Sequence, residues 1–240
     1  MSTKNLAIYR ANALLEAEEL ESAMDSLDEA RVVRLCQCHR IAGIASLLMS
    51  ANAGEFRNSL SRSARAYARF SQRAAQNEKL NSLAAPFFDA LSAGDIGAAR
   101  TICANRAPEP NLGEEYEEDF LYHTILMGMF FGAADNTNLL ARYEKLAVEH
   151  ADLRFDVCAA LATADPGEFE DALCAYLDDY QRRYAEALGK NTILLDQFMT
   201  EGRVCVEGIA IVSLARSRHI DVGTEYALVP SVARPTELAS

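Results

Sequence analysis

The sequence predicts an all-α fold, a set of stacked helical hairpins forming an array or bundle of about eight to ten helices. Three observations predict it. Ala and Leu abound while Gly (12) and Pro (6) are sparse, and the abundant types lose little side-chain freedom in a helix. Apolar residues recur three and four positions apart through most of the chain. Short clusters of Gly, Pro, Asn and Asp cut these runs into pieces of helix length. Half of the 240 residues are hydrophobic, which excludes a disordered chain and suffices for one large core or two small ones.

The first helix is expected over residues 5–24, where Leu6, Tyr9, Ala13, Leu14, Ala17, Leu20 and Met24 share a face. The second runs over 28–50 through Val32, Leu35, Ile41, Ile44 and Leu48, and Gly54 then punctuates. A third follows over 55–76. It carries Arg62, Arg65, Arg69 and Arg73 along one side, with Arg57 preceding them. That stripe reads as a solvated face or one docked on the protein's own acidic patch, with phosphate binding as the alternative. Residues 86–93 and 95–104 form two helices around Ala93-Gly94-Asp95, where Gly94 supplies a left-handed C-cap and Asp95 the next N-cap. Pro108, Pro110 and Gly113 mark a loop. A single domain over 1–240 is expected, with a possible subdomain boundary near 107–113. Further helices are expected over 115–132, 137–150, 153–163, 166–188 and 200–218, followed by an irregular tail with Gly223, Pro230 and Pro235.

A weak internal echo supports stacked hairpins. Ala51-Asn52-Ala53-Gly54-Glu55-Phe56 resembles Ala164-Asp165-Pro166-Gly167-Glu168-Phe169, and Ser92-Ala93-Gly94-Asp95 is a looser third copy. Irregular spacing argues for an array rather than a strict repeat, and chance similarity between cap sequences is a competing explanation.

The N-terminus lacks a basic stretch followed by an apolar core, so no signal peptide is expected. The apolar stretch near 125–134 is too short to span a bilayer. Cys36, Cys38, Cys103, Cys158, Cys174 and Cys205 do not read as a disulfide framework. Buried, reduced thiols in a cytoplasmic protein are expected.

Charge is distributed unevenly. Residues 1–113 hold 13 basic and 12 acidic side chains, whereas 114–240 hold 10 and 23. The second half opens on Glu114, Glu115, Tyr116, Glu117, Glu118 and Asp119. A net charge of −12 opposes nucleic acid or an anionic membrane as a direct partner and favours something basic.

No enzyme signature stands out. There is no Gly-rich phosphate loop, no Gly-x-Ser-x-Gly and no His-Glu-x-x-His zinc motif. Cys36-Gln37-Cys38-His39 is the nearest approach to a metal cluster, but residues two apart on a helix point away from each other. Asp119 and His123 are four apart and could orient a general base, although the spacing equally suits a helix-stabilising pair. No cofactor is expected. In the aromatic-rich stretch over 116–131, Phe120, Ile125, Met127 and Phe131 read as core. Tyr116 reads either as core or as an exposed ring among carboxylates that could anchor a basic partner.

Three stretches carry a family resemblance. The first is Phe88-Asp89-Ala90-Leu91-Ser92-Ala93-Gly94-Asp95 with Ala98-Ala99-Arg100; the second is Tyr116-Glu117-Glu118-Asp119-Phe120-Leu121-Tyr122. The third is Glu207-Gly208-Ile209-Ala210-Ile211-Val212-Ser213-Leu214-Ala215-Arg216, continued by Glu225-Tyr226 and Pro230-Ser231-Val232-Ala233-Arg234. In this order they resemble the immunity protein 49 family. The resemblance implies a helical intracellular antidote without catalytic residues. Its partner is then a cognate toxin of a polymorphic or type VI secretion system, for example a basic nuclease. The expected contact surface includes Glu114, Glu115, Tyr116, Glu117, Glu118 and Asp119. The alternatives are a helical-repeat scaffold binding a peptide or protein, and an enzyme using Asp119 and His123.

Overall fold

A computed structural model describes residues 3–75, 78–131 and 136–236. Eleven α-helices are present among them: α1 (Thr3–Ser22), α2 (Glu29–Ser50), α3 (Ala53–Arg73), α4 (Pro86–Ala93), α5 (Ile96–Ala104), α6 (Glu117–Phe131), α7 (Thr137–His150), α8 (Arg154–Thr163), α9 (Pro166–Gly189), α10 (Leu195–Met199) and α11 (Val206–Ser217). The described residues hold no strand, only an isolated bridge between Tyr226 and Val229. The fold is an all-α array.

Cap chemistry explains where the helices break. At three junctions one helix ends on a left-handed residue: Ala51 (φ 53°), Gly94 (φ 73°) and Ala164 (φ 56°). The next residue, Asn52, Asp95 or Asp165, then accepts a hydrogen bond from the backbone N–H of Glu55, Ala98 or Glu168. These are the three echoed segments of the sequence, and one turn geometry underlies all three. The side-chain oxygen satisfies an amide that has no partner inside the new helix.

Consecutive helices pack on one another. α1 and α3 both lie against α2, α3 also meets α4 and α5, and α11 crosses back onto α4. In the second half, α6 packs with α7 and α8, and α8 with α9. At Gly43 the backbones of α2 and α3 come close, since a Cβ there would stand 2.9 Å from Cβ of Ser59 on α3. One buried apolar cluster runs from Ala13 to Ala233. α2 has the length and composition of a membrane span, which makes it, rather than 125–134, the apolar helix to consider; 67% of that window is buried within the fold.

Several boundaries differ from expectation. Residues 200–205 do not open the last long helix; the short α10 precedes them instead. A Cβ on Gly202 would lie 2.6 Å from the Phe198 carbonyl oxygen, and the Cys205 amide donates to the Leu228 carbonyl rather than into a helix. The expected helix ends at Gln76 and Gly132 fall outside the described residues. Five thiols are buried, but Cys174 is exposed. Burial pushes the Cys36 and Cys38 thiols up to about 12. Phe131 is only half-buried, its ring 4.6 Å from that of Phe130.

The two halves meet at a buried ionic cluster. Arg40 of α2 makes a two-pronged contact with Asp89 of α4, Nε to Oδ1 at 2.8 Å and Nη2 to Oδ2 at 2.9 Å. Its third nitrogen reaches Oε1 of Glu201 at 3.3 Å. Ser63 of α3 donates to Asp89, and Gln37 of α2 donates to Glu201. Asp89 is completely buried. Burial raises the Glu201 carboxyl above its ordinary range, with Arg40 opposing that shift. Asp89→Ala strips the guanidinium of its bidentate acceptor. It is expected to lower unfolding free energy by about 3 kcal/mol, read from urea denaturation midpoints at neutral pH.

Candidate functional site

The acidic segment is positioned by a clamp beneath it. Asn81 is buried, and its side-chain amide holds the Ala107 backbone from both sides: Nδ2 donates to the Ala107 carbonyl and Oδ1 accepts from its N–H. Nδ2 also donates to Thr124 Oγ1 on α6 at 3.1 Å. The loop between α5 and α6 is thereby fixed against the helix that follows it.

Within that frame the six expected residues separate into two groups. Glu115 is only 8% exposed. Its carboxylate accepts from the backbone N–H of Ser82 at 3.0 Å and of Asn111 at 3.2 Å. It is a loop staple, removed from the surface by the orphan amides it satisfies. Glu117 pairs with Arg142 of α7, and Asp119 with Arg154 at 2.6 Å. Arg154 also pairs with Asp152 and stands over the Tyr122 ring, 5.1 Å from its centre. These acids on the first turn of α6 suit the positive end of its dipole. Their charge is largely spent inside the fold.

Glu114, Tyr116 and Glu118 form the second group. Glu114 is exposed and Glu118 partly so, and neither carboxylate has an ion pair among the described residues. Tyr116 is 74% exposed and Leu112 66%. Glu109 is exposed on the same loop. Beside them lies an open cleft of about 350 Å³ lined by Arg106, Pro108, Glu109, Phe120, Leu139 and Arg142, among others. Sequence periodicity could not separate Glu115 from Glu114, because the distinction rests on amides contributed by residues 82 and 111. Leu112 and Glu109 went unselected because a loop has no period to mark its outward side.

The other chemical candidates resolve into structure. His123 does not face the Asp119 carboxylate. Its Nδ1 lies 2.9 Å from the Asp119 backbone carbonyl oxygen, and its ring packs between those of Phe88 and Tyr122. Burial holds its pKa below the ordinary histidine range. The Cys36 thiol donates to the Ser63 carbonyl at 3.2 Å, and His39 Nε2 lies 3.0 Å from Glu21. Among the described residues no group of three or more His, Cys, Asp or Glu is arranged to hold a metal ion. The arginine stripe of α3 is docked on the protein's own acids, though not on the 114–119 segment. Arg62 pairs with Glu21, Arg65 with Asp95 and Arg69 with Asp25, while Arg73 donates to the Met24 and Leu27 carbonyls.

Two outcomes check this division. Glu115→Ala is expected to cost about 1–3 kcal/mol in denaturant unfolding, because two part-buried amides lose their acceptor, whereas Glu114→Ala should stay within about 0.5 kcal/mol of the parent. His123 has a folded pKa below its unfolded value of about 6.5, so its contribution is present above that pH and is lost as pH falls toward the folded value. Stability should therefore decline less between pH 7 and pH 5 in His123→Phe than in the parent, by paired melts at each pH.

No curated protein and no solved structure matches the chain. The family model for immunity protein 49 matches residues 26–233, which takes in α2 through α11 and the whole acidic segment. The chain therefore belongs to the immunity protein 49 family.

Proposed function

We propose that this protein binds and neutralises a cognate secreted antibacterial toxin by occupying its surface, without chemistry. The observation that carries the reading is Tyr116, standing 74% exposed and flanked in the chain by Glu114 and Glu118, which have no ion pair among the described residues. An exposed tyrosine offers a large, stiff contact area at low entropic cost, and unpaired acids beside it favour a cationic partner. The binding face is Glu114, Tyr116 and Glu118 with the neighbouring Leu112 and Glu109. Glu115, Glu117 and Asp119 contribute by holding that face in place. The adjoining cleft receives one or two side chains of the toxin.

Several features favour a basic toxin delivered by a polymorphic or type VI secretion system, a nuclease being the best fit. Its nucleic-acid surface is cationic by necessity, and a net charge of −12 steers such a surface inward from a distance. The same charge repels nucleic acid and anionic membranes, so neither is a direct partner. Buried thiols with raised pKa suit the reducing cytoplasm, where an antidote must intercept its toxin.

Affinity capture from the native cell tests this reading. The parent protein is expected to retain a basic polypeptide that is lethal when expressed alone. The combined variant Glu114→Lys, Tyr116→Ala, Glu118→Lys should retain at least about tenfold less, with slower association and a shallower salt dependence. Equal capture and an unchanged salt response would remove this face from the interface. Recovery of a harmless partner by the parent would favour a scaffold instead.

A further inference from the structure

α1 is apolar on two opposite sides. Leu6, Ala13, Ala17 and Leu20 are buried against the body of the protein. Ile8 (56% exposed) and Leu15 (66% exposed) face away from it. A surface helix needs one apolar stripe, and a second, outward stripe marks a second partner. The outward stripe is Lys4, Ile8, Ala11, Leu15 and the pair Glu18–Glu19, all exposed and separated by three or four positions. Lys4, Glu18 and Glu19 have no ion pair among the described residues. α10 packs against α1, and Leu194 at its N-cap and Leu195 at its start are both exposed.

The order of these residues identifies the occupant. Reversing the stripe upon itself about a point between Ala11 and Asn12 brings Ile8 opposite Leu15 and Lys4 opposite Glu19, with Glu18 alongside. At the crossing point, the small Ala11 lets the two helix backbones approach closely. A stripe that complements its own reversal is the signature of a two-fold symmetric contact, in which each residue meets its counterpart twice. A foreign partner would impose no such symmetry on the sequence. We propose that a second copy of this chain docks here, its α1 antiparallel to the first across a two-fold axis. The 20 residues of α1 span about 30 Å. Together with the α10 leucines the contact buries on the order of 1,000 Å² in total, at the lower end for specific association. The dimer is therefore weak, with a dissociation constant in the micromolar range. Residues 3–22 precede the region matched by the family model, and none of them belongs to the proposed toxin-binding face.

Sedimentation velocity on the full chain, from about 1 to 100 μM, is the test. A reversible monomer–dimer equilibrium is expected across that range. Ile8→Glu with Leu15→Glu should leave the helical circular dichroism and melting point unchanged, since both sites are exposed, and abolish the dimer. Charge reversal supplies an independent arm. Lys4→Glu alone and Glu19→Lys alone each set like charges opposite one another at two symmetric points and should weaken dimerisation about tenfold. The two together should restore it. A chain that stays monomeric throughout overturns the proposal. So does a dimer indifferent to Ile8→Glu with Leu15→Glu, or one that the paired reversal fails to rescue.

Discussion

The buried contact between Arg40 and Asp89, with Glu201 on its far side, is the constraint on which the two halves of the array depend. Helices stacked by apolar stripes can slide, because hydrophobic contact has no direction. A guanidinium has direction: its planar fork fits one carboxylate geometry. Arg40 therefore fixes the register of α2 against α4, Ser63 ties α3 to the same carboxylate, and Glu201 brings in the chain after α10. Burying these charges is unfavourable in isolation, and the cluster persists because nearly every polar atom in it has a partner. Its effect extends further, since α11 lies against α4 and the Ser92 hydroxyl donates to the Val206 carbonyl at 2.8 Å.

The acidic face rests on a smaller version of the same principle. Asn81 clamps Ala107, Glu115 staples the Ser82 and Asn111 amides, and Arg142 and Arg154 draw Glu117 and Asp119 inward. Once those groups are satisfied, Glu114, Tyr116 and Glu118 remain directed to solvent on a rigid base. A pre-ordered contact surface loses little entropy on binding. In the proposed function, that rigidity lets a short stretch of chain compete with a toxin's own substrate.

Much of the architecture was legible in the sequence because caps and periodicity are local. Asn52, Asp95 and Asp165 announce helix starts without reference to the rest of the fold, and α4, α7 and α8 begin and end within a residue of expectation. What was not legible depends on distant partners. The Cys205 amide is claimed by Leu228, so the last long helix starts at Val206. Glu115 looks like its neighbours until residues 82 and 111 arrive. The arginines of α3 announced a charged stripe, but their partners Glu21, Asp25 and Asp95 come from elements brought alongside by folding. Asp119 and His123 had the spacing of a pair, and the arginine at position 154 took the carboxylate instead.

The central claim is that a rigid, negatively charged face captures a cationic protein by complementarity alone. Backbone hydrogen exchange on the full chain, alone and bound to the polypeptide it captures, addresses it most directly. Slowed exchange across residues 109–120, diminishing at higher salt, is the result the account predicts. Protection confined to other elements, with 109–120 exchanging as in the free protein, contradicts it.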